Sequence, residues 1–315
     1  MLEMRIGGDS DVADASPQVE RALEASAVLL SVVSGGKFHF PLSDFGQTKG
    51  IVMHHTKGSW RSKSTILKIA AFATAAGLLA GPSLASHAWS TYHWKRTGTE
   101  VTPALGDNVN TTWDSYIRTA NSDWNRSTRV QSSMTLGQTT PSTCNPRAGR
   151  IEVCNASYGS TGWLGIASIW LSADGHISQG TTKLNDTYFN TAQYNTFSWR
   201  SLVACQEIGH DYGLGHQDEN FNTDYTNSCM DYTNWPAGNE HPDQHDYDQL
   251  AAIYSHVHAA SNLPGAQEPD GTPIGNSREE WGRPVARDAR GRAHTFVRDL
   301  GEGRKAITEV FWLPN

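Results

Sequence analysis

The chain has 315 residues, 37% of them hydrophobic, with eleven Trp and ten Tyr; this excludes an intrinsically disordered protein and suffices for one main globular domain plus an appendage. A formal net charge of −7 excludes general nucleic-acid binding through a basic surface. The charge is uneven: no Lys or Arg occurs between Arg200 and Arg278, leaving either a negative field that favours cations and basic peptide segments or a plain solvated acidic face.

The first readable segment is an export signal. Lys57, Arg61, Lys63 and Lys68 precede an apolar run from Ile69 to Ala80, and Pro82-Ser83-Leu84-Ala85 supplies the small residues of a signal-peptidase site. Residues 53–85 therefore read as a secretory signal starting at Met53, and residues 1–52 as an unusual leader or a non-native extension. The exported, extracellular protein is expected to begin near Ser86 or Trp89 and to be a monomer without stable membrane insertion. As an uncleaved anchor, the Ile69–Ala85 run would be short and broken by Gly and Pro.

Beyond the signal, Trp113, Tyr116, Ile117, Ala120 and Trp124 recur at helical spacing and predict an amphipathic helix over Asn110–Asn125. Strand-like apolar content marks Arg129–Leu136, Arg150–Ser157 and Ile166–Leu171, with Thr182–Phe189 as an edge strand. Asn155, Asp174 and Asp186 are the candidates for a calcium loop, although no ordered acidic repeat supports Ca2+. The four cysteines, Cys144, Cys154, Cys205 and Cys229, all follow the cleavage point, which favours two disulfides among three possible pairings over a zinc ribbon.

A helix over Thr196–Gly213 carries the most informative stretch, residues 206–218, Gln-Glu-Ile-Gly-His-Asp-Tyr-Gly-Leu-Gly-His-Gln-Asp. Residues four apart on a helix share a face, so Gln206 and His210 are presented together with Glu207 beside them. Gly213 lets the chain turn back, so that His216 can approach the same point from another direction. Downstream comes Ser228-Cys229-Met230-Asp231-Tyr232, with Met230 fourteen residues beyond His216.

These two motifs resemble the metzincin zinc metallopeptidases of the matrixin, astacin and serralysin kind, whose pattern is H-E-x-x-H-x-x-G-x-x-H followed by a Met-turn. The departure is Gln206, which stands where the first zinc-binding His belongs. The resemblance implies an α+β fold over residues 86–258, a twisted mixed sheet with an active-site helix, a Met-turn and a C-terminal helix. It implies Zn2+ held by His210, His216 and Gln206, with Asp218 supporting or replacing a ligand, since an extended segment would point Asp218 to the same side as His216. It further implies a polypeptide substrate, Glu207 as general base, Tyr232 on the metal or the oxyanion, and Met230 as an apolar floor. Of the disulfide pairings, it favours Cys205–Cys229 with Cys144–Cys154, because the helix and the Met-turn must meet beneath the metal. The alternative is an exported binding protein that keeps the fold but has lost zinc through Gln206.

After the Met-turn, His241-Pro242-Asp243 starts a last helix with Tyr247, Leu250, Ile253 and Tyr254 as its buried face. His241 and His245 are a possible second metal pair, but read first as surface histidines. Residues 259–277 form a Pro/Gly-rich linker. Residues 278–315 form a small element, a β-hairpin pairing His294–Arg298 with Ala306–Phe311 around Gly301-Glu302-Gly303, packed by Trp281 and Trp312 onto the catalytic body.

Overall fold

The computed structural model describes residues 87–223, 227–259 and 271–314, and the leader, signal and most of the linker fall outside them. The fold is α+β, built on one mixed sheet of eight strands. In chain order these are β1 (Ala104–Asn108), α1 (Asp114–Trp124), β2 (Met134–Leu136), β3 (Arg150–Ala156), β4 (Trp163–Leu171), β5 (Ile177–Asn185), α2 (Asp186–Phe189), α3 (Phe197–Asp211), α4 (Gln244–Ile253), α5 (Arg278–Trp281), β6 (Arg283–Arg287), β7 (Ala293–Gly301) and β8 (Arg304–Trp312). The sheet order is β2-β1-β3-β5-β4-β8-β7-β6. Strands from β2 to β5 run parallel; β4 and the β6–β8 meander are antiparallel. Among the described residues, no helix is long and apolar enough to cross a membrane.

Every residue of β4 is buried, because its two faces serve two cores. Leu164, Ile169 and Leu171 join the main core with α1 and α3, whereas Trp163, Ile166 and Trp170 pack with Ile274, Trp281 and Phe296 on the opposite face. Backbone carbonyls of Thr272 and Asn276 accept from the Trp170 and Trp163 indoles, which pins that segment across the sheet. Thr196 caps α3 by accepting from the Trp199 amide. Trp124 of α1 donates to the Cys205 carbonyl at 3.0 Å and so fixes α1 against α3. Both disulfides, Cys144–Cys154 and Cys205–Cys229, are present; the second ties α3 to the Met-turn.

The Thr182–Phe189 segment is not an edge strand: β5 lies between β3 and β4, and Asn185 accepts from the Thr187 amide and turns the chain into α2. Its polar residues are buried yet paired, as when Lys183 donates to the Ile274 carbonyl and Thr182 to Asp211. Strands β1 and β6 were not expected. The first is short and ends in Gly-Asp-Asn, and the second is an exposed edge flanked by Arg283 and Arg287, a polar pattern that blunts an open edge. The residues after 277 join the same sheet, β8 pairing with β4 along its length. Asn155 and Asp186 form a buried bond to each other, and Asp186 also accepts from the Trp113 indole.

Candidate metal centre

Helix α3 presents Gln206, Glu207 and His210, all fully buried. Past the end of the helix comes Gly213, whose φ of +93° no L side chain adopts readily and whose Cβ would collide with the Tyr92 carbonyl. The reversal aims the Leu214 carbonyl back at His210, which can only donate to it through Nδ1, at 2.8 Å. That bond fixes the tautomer and leaves Nε2 as an acceptor, buried and without a hydrogen-bond partner. Burial and the neighbouring His216 hold the His210 pKa down at about 3, so its neutral form persists.

His216 comes in from the returning segment, its ring 4.7 Å from that of His210 and 4.1 Å from that of Tyr232. Its Nε2 is likewise buried and partnerless, while Nδ1 lies 3.8 Å from Glu219 Oε1 and 3.7 Å from Glu309 Oε1. A third imidazole arrives from β7: the His294 ring is 5.3 Å from that of His216. His294 Nδ1 bonds Glu309 Oε1, and Nε2 sits 3.3 Å from Glu219 Oε1 without a hydrogen bond of ordinary geometry. Single ligand atoms from His216, Glu219 and His294 all lie within 4.8 Å of one another. Burial opposes a charge on His294, but Glu309 and Glu219 carry its pKa up to about 10. Thr295 on β7 donates to Glu309 Oε2 at 2.9 Å and completes the support of that carboxylate.

Gln206 braces the Met-turn. Its Nε2 donates to the carbonyls of Cys229 and Asp231, at 2.6 and 2.8 Å, on either side of Met230, while Oε1 is buried without a partner. Met230 is fully buried beneath α3, where a Cβ on Gly209 would meet its sulfur at 2.5 Å. Tyr232 donates to the Val310 carbonyl of β8 at 3.1 Å. Asp218 lies outside the imidazole cluster: its amide bonds Asp231 and its own carboxylate accepts from Asn220. The segment bends at Gln217 instead of running extended, so Glu219, the residue after Asp218, is the one that turns toward His216.

Glu207 packs over β4, its Oε1 2.7 Å from where a Gly165 Cβ would stand. Burial, then the Glu309 and Asp211 carboxylates, raise its pKa well above the ordinary carboxylate range. A cavity of about 240 Å³ reaches His216, Glu219, His294 and Glu309, with Trp89 and Ala286 on its rim. The donor set fits a zinc ion: His216, Glu219 and His294 offer ligand atoms within 4.8 Å of one another, His210 beside His216 keeps a buried, partnerless Nε2, Gln206 has a spare amide oxygen, and Glu309 lies behind the His216 and His294 rings at Nδ1.

His294, Glu309 and Glu219 do not belong to the local motifs. Their one sequence signal is an ionisable residue in the middle of an apolar strand, Glu309 within Ala306–Trp312, with His294 near its strand partner Thr295. His241 and His245 do not form a pair: His241 bonds Asp123 at 2.6 Å, and His245 lies against His87, ring centroids 4.5 Å apart.

No protein-family model matches the chain, and no curated protein matches it. Among solved structures, it is similar to the hatching-enzyme zinc-protease high choriolytic enzyme 1 of the medaka Oryzias latipes, at 14% identity over 52% of this chain and 94% of that one, TM-score 0.29. It is also similar to myroilysin, at 13% identity over 54% of this chain and 99% of that one, TM-score 0.32.

Proposed function

We propose that the chain is an exported zinc-dependent endopeptidase of metzincin-like design in which His294 from the C-terminal hairpin takes the ligand place that Gln206 leaves. The observation that supports this most is the group of His216, Glu219 and His294, whose ligand atoms lie within 4.8 Å of one another, beside the buried Nε2 atoms of His210 and His216 that find no hydrogen-bond partner within the protein. A buried acceptor without a partner costs about 1–3 kcal/mol, and a cation would satisfy those on His210 and His216 while displacing the proton that His294 holds between Glu309 and Glu219. Glu219 and Glu309 orient His216 and His294, and Gln206 acts through the Met-turn beneath the site. The bound metal would supply a Lewis acid that lowers the pKa of water and polarises a peptide carbonyl.

The protein's own part is proton transfer and positioning. Glu207, desolvated and beside other carboxylates, has the raised proton affinity of a group that accepts a proton from water and returns it to a leaving amine. Because β8 covers the outer edge of β4, an extended substrate cannot add to that strand. The substrate chain would enter instead through the cavity between Trp89 and Ala286.

The test is metal content and hydrolysis by the purified exported protein. We expect about one zinc at this centre, cleavage of an unstructured polypeptide that stops on chelation, and a Glu207→Gln variant that keeps zinc but loses roughly 10²–10⁴ in turnover. A parental rate in Glu207→Gln would overturn the assigned base. Absence of zinc after supplementation would favour the alternative, a binding protein on the same fold.

A further inference from the structure

A second group of histidines gathers away from these residues and shares none with them. His93 follows the N-terminal segment, His176 sits in the turn between β4 and β5, and His256 and His258 follow α4. Their rings lie close in five pairings: His93 to His176 at 4.7 Å, to His256 at 4.9 Å and to His258 at 5.5 Å, and His258 to His176 at 4.5 Å and to His256 at 4.7 Å. The nitrogens face inward. His93 Nε2 is 3.2 Å from His256 Nε2, and His176 Nε2 is 2.8 Å from His258 Nε2. Single ligand atoms of His93, His256 and His258 all fall within 4.8 Å of one another.

Two of the outer nitrogens are held from behind, as is usual for metal-binding imidazoles. His93 Nδ1 donates to the Thr91 carbonyl at 2.7 Å, which leaves Nε2 as an acceptor aimed at the cluster. His176 Nδ1 lies 3.1 Å from Asp174 Oδ1, and that carboxylate is itself fixed by Lys95 at 2.5 Å. The backbone positions the three segments without help from the rings: the Ile177 amide bonds the His93 carbonyl at 2.9 Å, and the His258 amide bonds the Arg96 carbonyl at 2.7 Å. With one carboxylate, Asp174, itself paired with Lys95, the four imidazoles repel when protonated; burial and the neighbouring histidines lower the pKa of His93 and of His258, favouring the neutral form that ligates. A surface cavity of about 280 Å³ beside His93 and His256 gives an ion access.

We propose that His93, His176, His256 and His258 form a second metal site, which takes a borderline divalent transition ion such as Zn2+, Cu2+ or Ni2+ and clamps the residues after α4 to the N-terminal segment and the β4–β5 turn. An all-imidazole donor set selects these ions over Ca2+ and Mg2+, which require oxygen. Direct N–H···N bonds satisfy these rings only in pairs, whereas a single cation would satisfy His93, His256 and His258 together, with His176 next to His258.

The experiment uses the exported protein carrying His216→Ala, which weakens the candidate metal centre. Titration with Cu2+ and Zn2+ is followed by calorimetry, with the Cu2+ visible spectrum and the rise in Tm as independent readouts. We expect one equivalent bound, imidazole-type Cu2+ absorption and a Tm raised by the ion, since it binds only the folded form. Adding His256→Gln and His258→Gln, the first of which is exposed, should weaken binding at least about 100-fold and abolish the Tm shift, while His241→Gln leaves both unchanged. Binding and spectrum unaltered by the His256→Gln/His258→Gln change, or no equivalent bound by the His216→Ala protein, would overturn the site.

Discussion

Removing the His294 imidazole tests whether the C-terminal hairpin completes the metal centre. Structural zinc sites with four ligands are worth about 10–16 kcal/mol, or about 2.5–4 kcal/mol per ligand if shared evenly. At 1.4 kcal/mol per tenfold, His294→Ala should weaken zinc by roughly 10²–10³-fold. The single change has a side effect: Glu309 is buried, and His294 is what holds its pKa down, against the upward push of burial. Left alone, that charge costs about 3–5 kcal/mol of metal-free stability. Glu309→Gln in the same chain removes the stranded charge and keeps a group able to accept from Thr295. The assay is therefore a zinc competition titration with a chromophoric chelator on His294→Ala/Glu309→Gln, alongside urea unfolding of the metal-free form. A double variant that folds like Glu309→Gln yet binds zinc within about tenfold of it would refute the ligand role.

Three further outcomes follow from the same geometry. Gln206→Ala strands two carbonyls of the Met-turn, so it should lower stability by about 1–3 kcal/mol in urea unfolding while weakening zinc at most about tenfold. Burial and the adjacent Asp218 push the Asp231 pKa up to about 8, so native Asp231 binds its proton more tightly than the unfolded chain does. Its contribution is complete below the ordinary carboxylate range and is lost as pH rises through about 8; Asp231→Asn should flatten that loss and gain about 1–3 kcal/mol at pH 8.5 relative to pH 5, read from thermal unfolding. N-terminal sequencing of exported protein should find a start at or before His87, because the His87 carbonyl accepts from Gly215 and its ring lies 3.1 Å from Asp246; a homogeneous start at Trp89 would contradict this.

What was legible in the sequence was what local geometry dictates. Glu207 and His210 share a helix, Gly213 reverses it, and the cysteines beside Gln206 and Met230 mark the contact between helix and Met-turn, so these parts stand where spacing puts them. The expectation for Asp218 assumed an extended segment, and one bend hands the position to Glu219. His294 and Glu309 meet His216 only through the β4–β8 and β7–β8 pairings, a non-local event for which the alternation of a hairpin carries no address. The four-histidine group is hidden for the same reason: its members come from three segments joined by backbone bonds between distant residues.

On the proposed function, the β4–β8 pairing would also set when hydrolytic power can appear. Ser168 meets Thr308 across 140 residues of sequence, and contacts of such separation form late because the loop between them must close first. During synthesis, α3, the Gly213 turn and the Met-turn can all be in place while the third imidazole has yet to emerge. A chain clipped between α4 and β7 would keep Glu207, His210 and His216 but lose the covalent link that delivers His294 and Glu309. On the proposed function, the centre would thus be completed by its last strands, a latency that acts through the order of assembly.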